Sequence, residues 1–233
     1  MSNDNLSVET LLKELRKAAR PGEVAGMARF GIVGEGRLGV RVPDIRRIAK
    51  KTGRNHRLAL GLWRSGIPDA RILASMVDEP EKVTERQMDA WAGDFDSWDM
   101  CDQVCMNHFD RTPHAWKKVR EWSKRDEEFV RRAAFALVAC LAWHDKETPD
   151  REFIRLLPLI KRGATDERNL VKKAVSWALR HIGKRNAELN RVAIETAREI
   201  RRLDSRSARW IASDAIRELE SKAVKGRLKR RMR

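Results

Sequence analysis

Three short segments of this 233-residue chain carry residue types that could do chemistry together. The first is Phe95-Asp96-Ser97-Trp98-Asp99-Met100-Cys101-Asp102. The second is Arg131-Arg132-Ala133-Ala134, and the third is Lys172-Lys173-Ala174-Val175-Ser176-Trp177. Among them they offer one carboxylate (Asp102), two indoles (Trp98 and Trp177) and one guanidinium (Arg132). Trp98 and Asp102 stand four residues apart, so on a helix they share a face. Such a set suits a site that grips a DNA backbone and stabilises positive charge developing on a sugar or a modified base. Plainer readings stand beside it. Trp98 and Asp102 could be a core aromatic and a surface charge, Arg132 half of an interhelical ion pair, and Trp177 a member of its own helix's core.

The elements that must position these residues read as helices. Leu11, Leu12, Leu15 and Ala18 form an apolar stripe, and Ile45, Ile48 and Ala49 begin another. The pattern predicts helices near 7–19, 22–33, 43–52, 56–65, 68–77, 81–92, 97–109, 113–123, 126–143, 150–162, 168–183, 187–202 and 206–221. Pro43-Asp44, Pro68-Asp69 and Pro113-His114 place proline at a first turn, and Asp204-Ser205 offers a cap. Gly53, Gly66, Gly93, Gly163 and Gly183 fall where helices should stop. No stretch alternates well enough to be a strand. The segment Gly34-Glu35-Gly36-Arg37-Leu38-Gly39-Val40 is a loop, and it lacks the strand–helix setting of a dinucleotide fingerprint.

The motif Val130-Arg131-Arg132-Ala133 is echoed by Val171-Lys172-Lys173-Ala174, 41 residues later. That offset lies within the period of HEAT and armadillo repeats. The expectation is an all-α solenoid of stacked antiparallel helix pairs with a concave basic face, forming a single domain over 1–221. Residues 222–233 follow as a tail with seven basic residues and no acidic one. The tail is either a frayed helix or disordered arm that adds sequence-independent DNA affinity, or a solvated end with no role.

Lys and Arg number 50 against 34 Asp and Glu, a formal charge of +16 that favours a polyanionic partner. No apolar run approaches the roughly 18 residues of a membrane span, so no membrane association is expected. The first residues lack the basic and apolar regions of a secretory leader. Three cysteines, Cys101, Cys105 and Cys140, make no disulfide framework, and a reducing cytoplasm is expected. Cys101 and Cys105 sit one turn apart with only His108 near, so two buried thiols are expected in place of a metal site. His56, His114, His144 and His181 fall into no ligand spacing. Neither a nucleophile–base arrangement, nor a phosphate loop, nor an iron–sulfur cluster motif is readable.

The joint pattern resembles the bacterial AlkD-type DNA glycosylases, the DNA alkylation repair proteins built from HEAT-like repeats. The resemblance rests on Ser97-Trp98-Asp99 with Asp102, on Arg132-Ala133-Ala134, and on Ala174-Val175-Ser176-Trp177-Ala178-Leu179-Arg180. The stretches Met27-Ala28-Arg29-Phe30 and Gly39-Val40-Arg41-Val42-Pro43-Asp44-Ile45-Arg46-Arg47 are also similar, and the likeness spans roughly 20–215. It implies that Asp102 is the catalytic aspartate, that Trp98 and Trp177 are active-site tryptophans, and that Arg132 contacts DNA. Arg131, Lys172, Lys173, Arg180 and Arg41 are the further candidates for DNA contact. Phe30 stands where a tyrosine is expected, which removes any hydroxyl contact there.

The resemblance implies hydrolysis of the N-glycosidic bond of cationic N3- or N7-alkylated purines, such as 3-methyladenine and 7-methylguanine, in duplex DNA. No cofactor or metal is expected, no obligate protein partner, and a monomer held near the nucleoid by its DNA affinity. The rival reading is a non-catalytic HEAT-like module that binds damaged or branched DNA. A pure binder has no need of a carboxylate near phosphates, so Asp102 separates the two.

Overall fold

Local signals set the helix ends. Ser7, Asn55, Thr84, Asn186 and Ser205 each accept a hydrogen bond from the backbone N–H three residues on, capping the helices that follow. Each such cap is worth about 1 kcal/mol. Pro21, Pro43, Pro68 and Pro158 occupy first-turn positions, where a missing N–H costs nothing. The computed structural model describes residues 6–32 and 34–231. Residues 1–5, where no leader is expected, and the last two residues of the basic tail lie outside the described residues. Among the described residues there is no strand, as the sequence predicts.

The chain divides into two compact units, residues 1–114 and 115–233, each with its own core. The first unit contains α1 (Val8–Lys17), α2 (Pro21–Ala28), α3 (Val42–Thr52), α4 (His56–Arg64), α5 (Pro68–Val77), α6 (Glu85–Gly93) and α7 (Trp98–Asn107). Helix α5 is its centre: it packs on α3, α4 and α7 and buries nearly all of its side chains. Beside it, Trp63 stacks on Trp91 with ring centroids 3.9 Å apart, and Phe95 and Phe109 close the cluster. Several of the tryptophans are therefore core residues.

The second unit contains α8 (Ala115–Trp122), α9 (Glu128–His144), α10 (Asp150–Ile154), α11 (Leu157–Gly163), α12 (Asn169–Gly183), α13 (Ala187–Arg201), α14 (Arg206–Leu219) and α15 (Lys222–Arg231). Helix α9 packs on α8 and α12, and α12 packs in turn on α11, α13 and α14. The helix expected over 150–162 is two helices, because Pro158 has no N–H to give and its ring disfavours helical backbone just before it. Gly163 and Gly183 are the last residues of α11 and α12, where the sequence expects helices to stop, and they also serve close packing. A Cβ at Gly163 would stand 2.3 Å from the Phe135 ring, and one at Gly183 2.7 Å from Leu219. Residues 222–231 of the tail are helical, and Val224 and Leu228 are buried.

Candidate functional site

In the first unit, the site begins with the glycine loop. Gly36 and Gly39 have φ of 71° and 74°, and a Cβ at Gly39 would meet the Arg20 carbonyl oxygen at 2.7 Å. The buried carboxylate of Asp69 accepts the backbone N–H of Leu38 and that of Val40, both at 2.8 Å. This pins the loop to α5 and carries Arg37 to the start of α7. There the Arg37 guanidinium, with its side chain 2% exposed, donates to Asp99 Oδ2 (2.9 Å), Asp99 Oδ1 (3.2 Å) and Ser97 Oγ (3.0 Å). Ser97 Oγ donates to Asp99 Oδ1 at 2.6 Å. The planar fork matches the carboxylate, so the pair fixes an orientation as well as a charge.

The clamped turn is the one that presents the expected chemistry. Trp98 and Asp102 lie one turn apart on α7, both half-buried. The Trp98 indole Nε1 donates to the Phe30 carbonyl oxygen at 2.8 Å, which fixes its ring plane. The Phe30 side chain itself is 75% exposed. Sequence reasoning missed Arg37, Asp69 and Asp99. The signals were an arginine amid glycines and a Ser-x-Asp at a helix start; Arg37 lies 62 residues from Asp99, and Asp69 lies 31 and 29 residues from the loop amides it holds. Cys101 and Cys105 are buried thiols.

In the second unit, Trp177 is half-buried on α12, with its ring edge-on to His181 at 5.7 Å. Arg132 is only 5% exposed, and its Nη1 donates to the Leu170 carbonyl oxygen at 2.6 Å, at the first turn of α12. Arg131 lies 3.5 Å from Asp166. Lys173 is exposed, whereas Lys172 places its ammonium 5.0 Å from the Trp210 ring centroid. Arg180 is engaged by Glu218 and Asp214 of α14 and by the Ser176 carbonyl. Arg41, in the first unit, is exposed and paired with Glu23 at 2.6 Å. The echoed basic pairs thus sit on two adjacent helices, α9 and α12, but in unlike settings: Arg132 is buried where Lys173 is open. Trp98 and Asp102 belong to the first unit; Arg132 and Trp177 belong to the second.

Two titratable groups stand out. Burial and the neighbouring Lys184 and Arg180 charges push the His181 pKa down to about 4, so the ring is neutral at physiological pH. Asp78 is fully buried, which alone would raise its pKa, yet His108 and His56 hold it below the usual carboxylate range. His56 Nδ1 is 2.6 Å from Asp78 Oδ1 and His108 Nε2 is 3.0 Å from Oδ2. That two histidines share one aspartate is not legible from spacing, since His56 and His108 lie far from Asp78 along the chain. Among the described residues no group of His, Cys, Asp and Glu could hold a metal ion, and no helix is long and apolar enough to cross a membrane.

A family described as "DNA alkylation repair enzyme" matches residues 11–219. No protein of curated function matches the chain. Among solved structures, one from a family related to the HEAT-like repeat DNA glycosylases, with affinity for branched DNA structures, is similar at a TM-score of 0.75. It is 19% identical and covers 96% of each chain, which shows a HEAT-like repeat fold. An engineered protein follows at 14% identity and a TM-score of 0.44, covering 92% of this chain and 99% of its own. A designed armadillo repeat protein bound to a (KR)4 peptide has 14% identity and a TM-score of 0.36, covering 81% of this chain and 80% of its own.

Proposed function

This chain belongs to the DNA alkylation repair enzyme family, and we propose that it hydrolyses the N-glycosidic bond of cationic N3- or N7-alkylated purines in duplex DNA. The observation that carries the reading is the presentation of Trp98 and Asp102 on one face of α7, with the helix start clamped by Arg37 and the indole tied to Phe30. Alkylation makes the purine a cation, so it leaves as a neutral base when its bond to C1′ breaks. The bonding pair goes to the base, and positive charge appears on the deoxyribose. A carboxylate at Asp102 stabilises that charge and orients the water that adds to C1′ and gives up a proton. Carboxylates serve glycoside hydrolysis for the same reason. An indole face adds on the order of 0.5–2 kcal/mol of attraction for a cation, the part proposed for Trp98 beside Asp102.

Arg131, Arg132, Lys172, Lys173, Arg180 and Arg41 remain the proposed contacts to the DNA backbone; of the five in the second unit Lys173 is the exposed one, and Arg132 reaches from α9 to the Leu170 carbonyl at the first turn of α12. Backbone contacts of this kind position the duplex and carry no sequence information.

The test is single-turnover excision from duplex DNA containing 7-methylguanine, followed by alkaline cleavage of the abasic sites. Asp102→Asn keeps the shape and removes the charge. Excision should fall about 10²-fold or more while DNA affinity is kept or improved. Excision at the wild-type rate by the variant would overturn the assignment. A second reading is favoured by the structural neighbour with affinity for branched DNA: a binder without excision activity. Tight binding of a four-way junction by a wild-type protein that releases no alkylated base would establish it.

A further inference from the structure

Helix α9 is buried on every side from Arg132 through Ala142, and then ends on an indole left half open: Trp143 is 51% exposed. A helix so apolar has every reason to bury its last aromatic, because an indole removes 150–250 Å² from water. The exposed ring is not isolated. It stacks on His144 (4.8 Å, 26°) and meets the edge of His181 on α12 (6.1 Å, 72°). His181 in turn stands edge-on to Trp177 (5.7 Å, 85°). Rings from two helices thus run in one chain of contacts from Trp177 to Trp143, with both indoles reaching solvent.

We propose that Trp143, joined through His181 to Trp177, forms a stacking track in the second unit for unpaired nucleotides of a DNA strand. The charges beside the track suit that occupant. Lys173 lies one turn before Trp177 on α12 and is exposed, and Lys146 donates its ammonium to the Trp143 carbonyl. The carboxylate of Asp145 turns inward, accepting from Trp116 Nε1 and Thr148 Oγ1, and Glu218 is held by Arg180 and Lys184. Aromatic faces flanked by cations are what a single strand needs: each base offers a π-face, and each phosphate a negative charge. A duplex offers neither indole a free base face, so the occupant is a strand with unpaired bases, as at a branch, gap or overhang. His181 spaces the two indoles as a neutral ring, since its pKa is pushed down to about 4, and it is held to the backbone of Ala139.

Strand binding is read apart from excision by using lesion-free DNA and the whole chain. Affinities are measured by fluorescence anisotropy for a labelled oligothymidylate of about 12 nucleotides, within the site sizes of single-strand binders, and for a blunt duplex of equal length. In Trp143→Ala the ratio of single-strand to duplex affinity should fall about 10-fold, the loss of one base stacked on an aromatic ring. Trp143→Phe should keep most of the ratio, and Trp210→Ala, at an exposed tryptophan outside the track, should keep all of it. An unchanged ratio in Trp143→Ala, or equal loss of both affinities, would overturn the proposal. A second measurement needs no variant: an oligothymidylate carrying 5-iododeoxyuridine is photocrosslinked to the wild-type protein and the adducts are mapped. Adducts on Trp143 are expected, and adducts confined to other segments would also overturn it.

Discussion

The imidazole of His181 touches two tryptophans and carries no proton at neutral pH, because burial and two nearby cations disfavour its charged form. That preference has a consequence for stability. The folded-state pKa of about 4 lies below the ordinary value of 6.5, so the unfolded chain binds the proton more tightly. The stabilising contribution is therefore complete above pH 6.5 and is lost as the pH falls toward 4, by roughly 3 kcal/mol in all. His181→Gln removes the titration and keeps a polar side chain of similar reach. We expect the melting temperature of the wild type to drop more steeply between pH 7 and pH 4.5 than that of the variant; parallel curves would refute the assignment. Asp78 works in the same direction at lower pH: its depressed pKa lends stability above its ordinary value of 3.8 that disappears on further acidification.

At the scale of elements, α7 owes its setting to a residue outside it. Arg37 comes from the glycine loop, and the loop in turn is anchored on α5 by Asp69, so three elements meet at the helix start. Removing one partner of a buried ion pair typically costs about 3–5 kcal/mol, since the other charge stays behind. Arg37→Ala should therefore lower stability by roughly that amount in urea unfolding, and under the proposed function it should slow excision by loosening the turn that bears Trp98 and Asp102. The double variant Arg37→Ala/Asp99→Ala, which leaves no stranded carboxylate, should recover part of the stability. A single variant as stable as the wild type would show that the clamp carries no load.

Across the whole molecule, the charge of +16 is distributed unevenly. Many cations are neutralised where they stand: Arg41 by Glu23, Lys184 by Glu218, Arg191 by Glu188 and Glu195, Arg217 by Asp214. Helix α15 differs. It is tethered by the buried Val224 and Leu228, exposes Lys222, Lys225, Arg227, Lys229 and Arg230, and makes no ion pair through them among the described residues. Lys225 and Lys229 are one turn apart and share a face. If that face meets phosphates, Lys225→Gln/Lys229→Gln should flatten the slope of log affinity against log salt by about 2, irrespective of DNA sequence, with the melting temperature unchanged. A slope equal to that of the wild type would place the long-range DNA contacts on other cations.

What the sequence determined by itself was local. Helix periodicity acts over four residues, a cap such as Ser205 reaches three residues ahead, and Pro158 disturbs only its own turn, so helices and their order were legible, as was the pairing of Trp98 with Asp102 on one face. Pro158 also marks the split of the 150–162 helix, although the apolar spacing runs through it. The echo at Val130 and Val171 identified two helices that do pack together. What only the tertiary structure decided was each side chain's environment, which depends on neighbours far along the chain. Arg132 and Lys173 occupy matching places in the echo, yet the one is buried against the Leu170 carbonyl and the other is open, because α9 is enclosed by α8 and α12 while α12 keeps a face toward solvent. Arg37 on Asp99, two histidines on Asp78, and His181 between two tryptophans follow the same rule: short-range signals place a residue on a helix, and only packing chooses its partner.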